Sequence, residues 1–172
     1  MLRKYMPGLV FALLLSACPG SQPRQSHDVP ASDTSRPEYL ATVMNGSLGK
    51  SAHVCHIISS ENAWHRLGLS QELESHGLAA DSILQAADFE HNVVLTVSWD
   101  GNIGHSIELQ SVSSSPKGTE LLLHAKQPSA GTPQFGMSPV MVMFYAVRRG
   151  LLKEPLRFLV NGTETAFFVQ KH

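Results

Sequence analysis

The chain has 172 residues, 42% apolar, 16% charged and 7% aromatic, with 13 Lys and Arg against 14 Asp and Glu. That length fits one domain, and the apolar content is too high for wholesale disorder. A net charge of −1 offers no basic surface to a phosphate backbone, which excludes nucleic acid as the expected partner.

The N-terminus reads as an address. Arg3 and Lys4 precede an uncharged apolar run, Leu9 to Leu15, followed by Ser16-Ala17-Cys18. A run this short cannot span a bilayer, which takes about 20 residues, but it has the size and flanks of a secretory signal. Leu15-Ser16-Ala17-Cys18 is similar to the lipobox of bacterial lipoproteins, in which the Cys is acylated and becomes the first mature residue. Residues 1–17 are therefore expected to be a lipoprotein signal peptide and Cys18 the lipidation site, with two or more acyl chains holding the protein at a membrane. Pro19 after the Cys resembles outer-membrane sorting. Cleavage removes Arg3 and Lys4 and moves the balance from −1 to −3. With Cys18 acylated, Cys55 has no disulfide partner in the chain, and a lone thiol in an oxidising compartment is expected to be buried.

Residues 18–37 hold the lipidated Cys and a stretch of Pro, Ser, Gln, Asp and Arg with almost nothing apolar. Such a segment cannot offset its ordering entropy, so it is expected to be a flexible tether spanning ~25 Å. The globular domain is expected over residues 38–172.

Within it, Leu40 to Met44 reads as a short strand closed by Asn45-Gly46. His53 to Ile58 alternates, with Val54, His56 and Ile58 on one face and His53, Cys55 and Ile57 on the other. Ser59 and Ser60 can cap a helix from Glu61 to Leu67, on which Trp64 and Leu67 share a face and which Gly68 stops. Ser70 is placed to cap a second helix, Gln71 to His76, ended by Gly77, and a third helical turn runs from Ser82 to Ala87. Val93 to Trp99 is a β-branched apolar strand stopped by Asp100-Gly101-Asn102. Ile107 to Val112 alternates strictly, and Thr119 to Lys126 follows the turn at Ser113 to Gly118. After a Pro- and Gly-containing loop, Gln127 to Ser138, comes Val140 to Val147, an apolar strand expected to be central. Arg157 to Val160 and Thr163 to Val169 flank Asn161-Gly162, a type I′ hairpin signal. The sum is an α+β, mostly β domain: an antiparallel sheet or sandwich with short helices near its start.

The chemistry is sparse. His53-x-Cys55-His56 holds metal-ligand residue types, yet on a strand His53 and Cys55 share a face and His56 points away, so no metal site is expected. The expectation is a buried thiol among surface histidines. No Gly-x-Ser-x-Gly elbow exists, since Gly136-Met137-Ser138-Pro139 puts Pro where the oxyanion-hole amide belongs. Glu72/Glu74 and Asp88/Glu90 read as solvated faces. Asn161-Gly162-Thr163 reads as a turn rather than a glycosylation acceptor. Trp64 is expected to anchor its helix in the core, while Trp99, at a strand end, stands between core and contact surface. No catalytic residue and no cofactor are expected.

Several segments taken together resemble a known family. They are Glu61-Asn62-Ala63-Trp64, then Ala87-Asp88-Phe89 leading into Val93-Val94-Leu95, then Asn102 to Leu109, and Met137-Ser138-Pro139-Val140 before an apolar strand. These are similar to the C-terminal domain of the protease complex subunit PrcB family, lipoproteins associated with a secreted surface protease. The likeness covers about Glu61 to Val147. Two departures stand out: the family's Thr-Gly-Gly-Tyr turn is here Asn102-Ile103-Gly104-His105, and its Ser-Pro-Tyr is here Ser138-Pro139-Val140. Both missing aromatics belong to loop–strand junctions where a partner would bind, so the fold carries over more readily than the partner.

The expectation is thus a non-catalytic envelope lipoprotein, held by acyl chains on Cys18 at the outer membrane and facing the periplasm. It would bind or stabilise another protein, with a protease as the class the resemblance implies, and Trp99, Gly104, His105 and Pro139 would lie at the contact end. A protease inhibitor acting through exposed loops, a small hydrolase and a small-ligand module are the other readings.

Overall fold

A computed structural model describes residues 33–48, 51–101, 105–131 and 139–172. The signal peptide, Cys18, Gly104 and the Gly136-Met137-Ser138 segment lie outside the described residues, as does the tether up to residue 32.

The strands are β1 (Asp33–Ser35), β2 (Glu38–Met44), β3 (Val54–Ile58), β4 (Asn92–Asp100), β5 (Ser106–Ser115), β6 (Gly118–Lys126), β7 (Val140–Arg148), β8 (Leu156–Val160), β9 (Thr163–Thr165) and β10 (Phe168–Lys171). They form two five-stranded sheets of order β1-β5-β6-β8-β9 and β10-β3-β4-β7-β2. Three short helices, α1 (Glu61–Arg66), α2 (Leu69–Ser75) and α3 (Ala80–Ala87), cover the outer face of the second sheet. The domain is α+β and mostly β.

Alternation on β4 and β7 builds both cores. Val93, Leu95 and Val97 of β4, with Met143, Tyr145 and Val147 of β7, meet Ile107, Leu109, Leu121, Leu123 and Phe158 of the other sheet. The opposite side chains, Val94, Val142 and Phe144, pack beneath Trp64, Leu69, Leu73 and Ala87 of the helices. Burial on both faces explains why β4 and β7 read as continuous apolar runs, whereas β5, covered on one face, alternates. β7 is internal as expected, but β4 takes the middle position.

α1 starts where the sequence says, while α2 and α3 each begin two residues earlier than expected. Ser60 Oγ accepts from Ala63 N at 3.2 Å and caps α1. Gly68 then takes φ 69°, a left-handed turn that lets α2 begin at Leu69, two residues earlier than expected. Ser70 is thereby inside α2 and cannot cap it; its hydroxyl instead accepts from Trp64 Nε1 at 2.9 Å.

Three features differ from the sequence expectation. Asp33–Ser35, placed in the tether, pairs antiparallel with β5, so ordered structure starts before residue 38. The predicted strand Thr163 to Val169 breaks at Ala166-Phe167, where the chain leaves β9 in one sheet and enters β10 in the other. Phe167 fills the gap, stacked on Phe158 with ring centroids 4.4 Å apart. Finally, both sheets are mixed: β6 pairs parallel with β8, and β3 with β10. A parallel pair needs a crossover, and here β7, lying in the opposite sheet, serves as the return run between β6 and β8. The expected antiparallel pairing therefore holds for the other strand pairs but not for these two.

Candidate functional site

The residues expected at the contact end are brought together only in part. Trp99, on β4, and Pro139, just before β7, lie at one end of the second sheet, where Gly101 N donates to Pro139 O at 2.7 Å. The β4–β5 link then brings His105 to the start of β5. Trp99 is half-buried and packs on the rim of the inter-sheet core, its ring 4.5 Å from that of His53 and 6.2 Å from Phe167. It is largely a packing residue rather than a free contact.

The His53-x-Cys55-His56 segment splits as β geometry requires. Cys55 points into the inter-sheet core, fully buried, and burial pushes its thiol up to about 12. His53 takes φ 60° just before β3 and packs its ring, tilted by 31°, against Trp99. His56 is not a surface histidine: it is 5% exposed on the far face of β3, with Nδ1 3.0 Å from His172 Nε2. The expectation of surface histidines is corrected at this position, because β10 and the turn at Leu48 cover that part of the sheet. We expect Cys55 to resist thiol reagents at about pH 8 in the native protein and to react only on unfolding. Labelling followed by mass spectrometry, with and without denaturant, checks this.

Two acidic pairs were expected to be solvated. Glu72 is half-buried and accepts from Ser47 N at 2.7 Å and from Ser47 Oγ, so it fastens the turn after β2 to α2. Asp88 and Glu90 are exposed and, with His91, form the one grouping of three metal-capable side chains among the described residues. Asp88 Oδ2 sits 2.9 Å from His91 Nδ1, and this hydrogen bond raises the His91 pKa. Ser75 Oγ lies 3.3 Å from His76 Nδ1, but both groups donate to the Glu72 carbonyl, at 2.7 and 2.9 Å. His76 Nε2 also donates, to Met44 O at 3.0 Å. Two carbonyl acceptors require both ring nitrogens to carry protons, and these bonds, Glu72 first and Met44 second, raise the pKa of His76.

The feature that stands out was not singled out by the sequence. A cleft of about 370 Å³ opens between the two sheets beside β2, floored by Met141, Met143, Tyr145 and Ile107 and rimmed by Tyr39 and Glu108. Two side chains three apart on β2, Tyr39 and Thr42, line it together because a bulge between Tyr39 and Ala41 shifts the register by one. Tyr39 is 58% exposed, donates its hydroxyl to Thr42 Oγ1 at 2.8 Å, and meets Tyr145 edge-on at 5.8 Å. Tyr145 OH in turn accepts from Leu109 N at 3.1 Å, next to the bulge in β5.

β2 is the last strand of its sheet. The bond from Asn45 N to Val140 O fixes the phase of the β2–β7 ladder, so Thr42 and Met44 aim their backbone groups away from β7. His76 takes the Met44 carbonyl, while among the described residues no further strand lies beside Thr42. The site is thus a short open strand edge next to an apolar cleft, with Tyr39 and Met44 as two of the exposed large apolar residues.

No helix among the described residues is long and apolar enough to cross a membrane. No known protein family, curated protein or solved structure matches the chain.

Proposed function

We propose that this chain is a lipid-anchored, non-catalytic protein of the bacterial envelope whose domain binds a partner polypeptide. An extended segment of the partner adds to the edge of β2 and seats an apolar side chain in the adjoining cleft. The observation that carries the reading is the pairing of open backbone at Thr42 with a cleft roofed by exposed Tyr39. In strand addition, main-chain hydrogen bonds supply affinity and pockets for alternate side chains supply specificity. An edge left open and apolar is an aggregation risk that proteins normally cover or charge, which supports its use as a binding surface. An envelope protease as the partner rests on the PrcB-like segments alone. The anchor rests on the lipobox-like Leu15-Ser16-Ala17-Cys18.

A photo-crosslinking amino acid at position 39 is expected to give a discrete adduct in cell membranes, whereas the same group at Lys117, in the far β5–β6 turn, gives none. Thr42→Pro removes an outward N–H without touching the β2–β7 ladder, so it should abolish the adduct while the domain stays folded by circular dichroism. Equal adducts from both positions, or an adduct that survives Thr42→Pro, reject the binding surface. Mass spectrometry tests the anchor separately: an unmodified Cys18 in purified full-length protein rejects it.

A further inference from the structure

His56 and His172 form a pair with unusual constraints. Their ring centroids are 5.2 Å apart and their facing nitrogens 3.0 Å apart, which puts both nitrogens in the gap between the rings, edge to edge. One of the two must therefore donate to the other. His56 Nε2 lies 3.3 Å from the Leu48 carbonyl, which can only accept, so this nitrogen carries the proton and Nδ1 of the neutral ring is left as an acceptor. His172 Nε2–H then donates to it. His172 can gain a second proton on its other nitrogen and keep the bond. His56 can do so only if a neutral His172 moves its proton to Nδ1 and accepts at Nε2, so the bond survives one extra proton on the pair and not two, when two N–H groups would face each other.

The surroundings offer no remedy. Across β4, Thr96 stands opposite His56 with a buried hydroxyl that has no partner among the described residues, and Ser98 Oγ is directed to Leu48 O. On β10, Gln170 lies beside His56, and the next residue, Lys171, is ion-paired with Glu154. Among the described residues, His172 is the one titratable or charged side chain that acts on His56. Burial lowers the His56 pKa, the bond to Leu48 works against that, and the His172 charge lowers it further.

The pair sits at the clasp of an edge strand. β10 has four residues and, among the described residues, pairs only with β3. Beyond its end, His172 N donates to Ile57 O at 2.8 Å, and His172 O accepts from Ser59 N at 3.1 Å and from Ser59 Oγ at 2.6 Å. We propose that His56 and His172 are a proton-counting latch, which holds β10 on β3 while the two rings carry at most one extra proton and releases it when both are charged. Release uncovers the outer edge of β3. The sign follows from linkage: a histidine whose folded pKa lies below its ordinary 6.5 takes up its proton more readily when the strand is open. Docking is therefore full above pH 6.5 and weakens as pH falls from there toward the folded value.

Hydrogen exchange of the Gln170 and His172 amides, which point to β3, corrected for the intrinsic rate, tests this at about pH 7.5 and about pH 5. Wild type should open several-fold more at the lower pH, because the released strand takes up a proton that the docked pair excludes. His56→Gln offers a donor to Leu48 and an acceptor to His172 that never charges, so its opening should not change with pH. Nitrogen NMR of the wild-type imidazoles should show His56 as the Nε2–H tautomer at neutral pH, titrating below 6.5. Opening that does not depend on pH in wild type, an equal pH response in His56→Gln, or His56 titrating above 6.5 would overturn the latch.

Discussion

Trp64→Ala is expected to cost about 3–5 kcal/mol of unfolding free energy, the range for deleting a large buried aromatic. Trp64 has no exposed surface and is the largest fully buried side chain. It joins three parts of the outer core: its own helix, Phe89 at 6.2 Å between centroids after α3, and Phe144 of β7 at 6.1 Å. Its indole N–H is satisfied by Ser70, so the variant also strands that hydroxyl. Trp64→Phe keeps most of the apolar contact and should lose much less, about 1–2 kcal/mol. Urea unfolding followed by the fluorescence of the remaining Trp99 measures both, since the chain has two tryptophans. A loss below about 1 kcal/mol for Trp64→Ala would mean that the helices are not part of the cooperative unit.

Gly118→Ala should cost about 3 kcal/mol or more. Gly118 has φ 119°, a conformation that L side chains rarely adopt, and an added Cβ would collide with the Pro155 backbone carbonyl. That carbonyl accepts from Thr119 N at 3.0 Å, so the collision reaches the parallel β6–β8 pairing at its first step. Thr119 beside it is also committed: its buried hydroxyl donates to Leu151 O at 2.7 Å and accepts from Lys153 N at 2.7 Å. Gly162→Ala is the control. Its φ is 81°, but nothing lies within 4 Å of the added carbon, so only backbone strain of about 1 kcal/mol remains. Chemical denaturation of the two variants separates collision from strain, and equal losses would refute the contact with Pro155.

Much of the fold could be read along the chain because the signals involved are local. The Ser60 cap, the Gly68 stop, the long apolar runs of β4 and β7 and the Asn161-Gly162 turn each depend on a few adjacent residues. The burial of Trp64 followed from residue type and spacing in the same way, and that of Cys55 from its having no disulfide partner. The cleft did not. Strict alternation would place Tyr39 with Ala41 and Val43 under the helices, and only the bulge in β2, which depends on pairing with β7, turns it to the opposite face. The Trp99 ring was ambiguous for a related reason: Phe167, which packs against it, arrives from a strand that changes sheets late in the chain. His56 became a buried partner of His172, 116 positions away.

The amino-acid order by itself set the mostly β class, the three short helices and the position of nearly every strand, because hydrophobic period and turn chemistry act over a few residues. Which strands lie parallel, which edge stays open, how Tyr39 and Thr42 share a cleft and why two distant histidines meet were decided by tertiary structure. Those outcomes depend on which backbone groups and side chains remain unpaired after the two sheets stack, a competition among distant segments that no local pattern encodes.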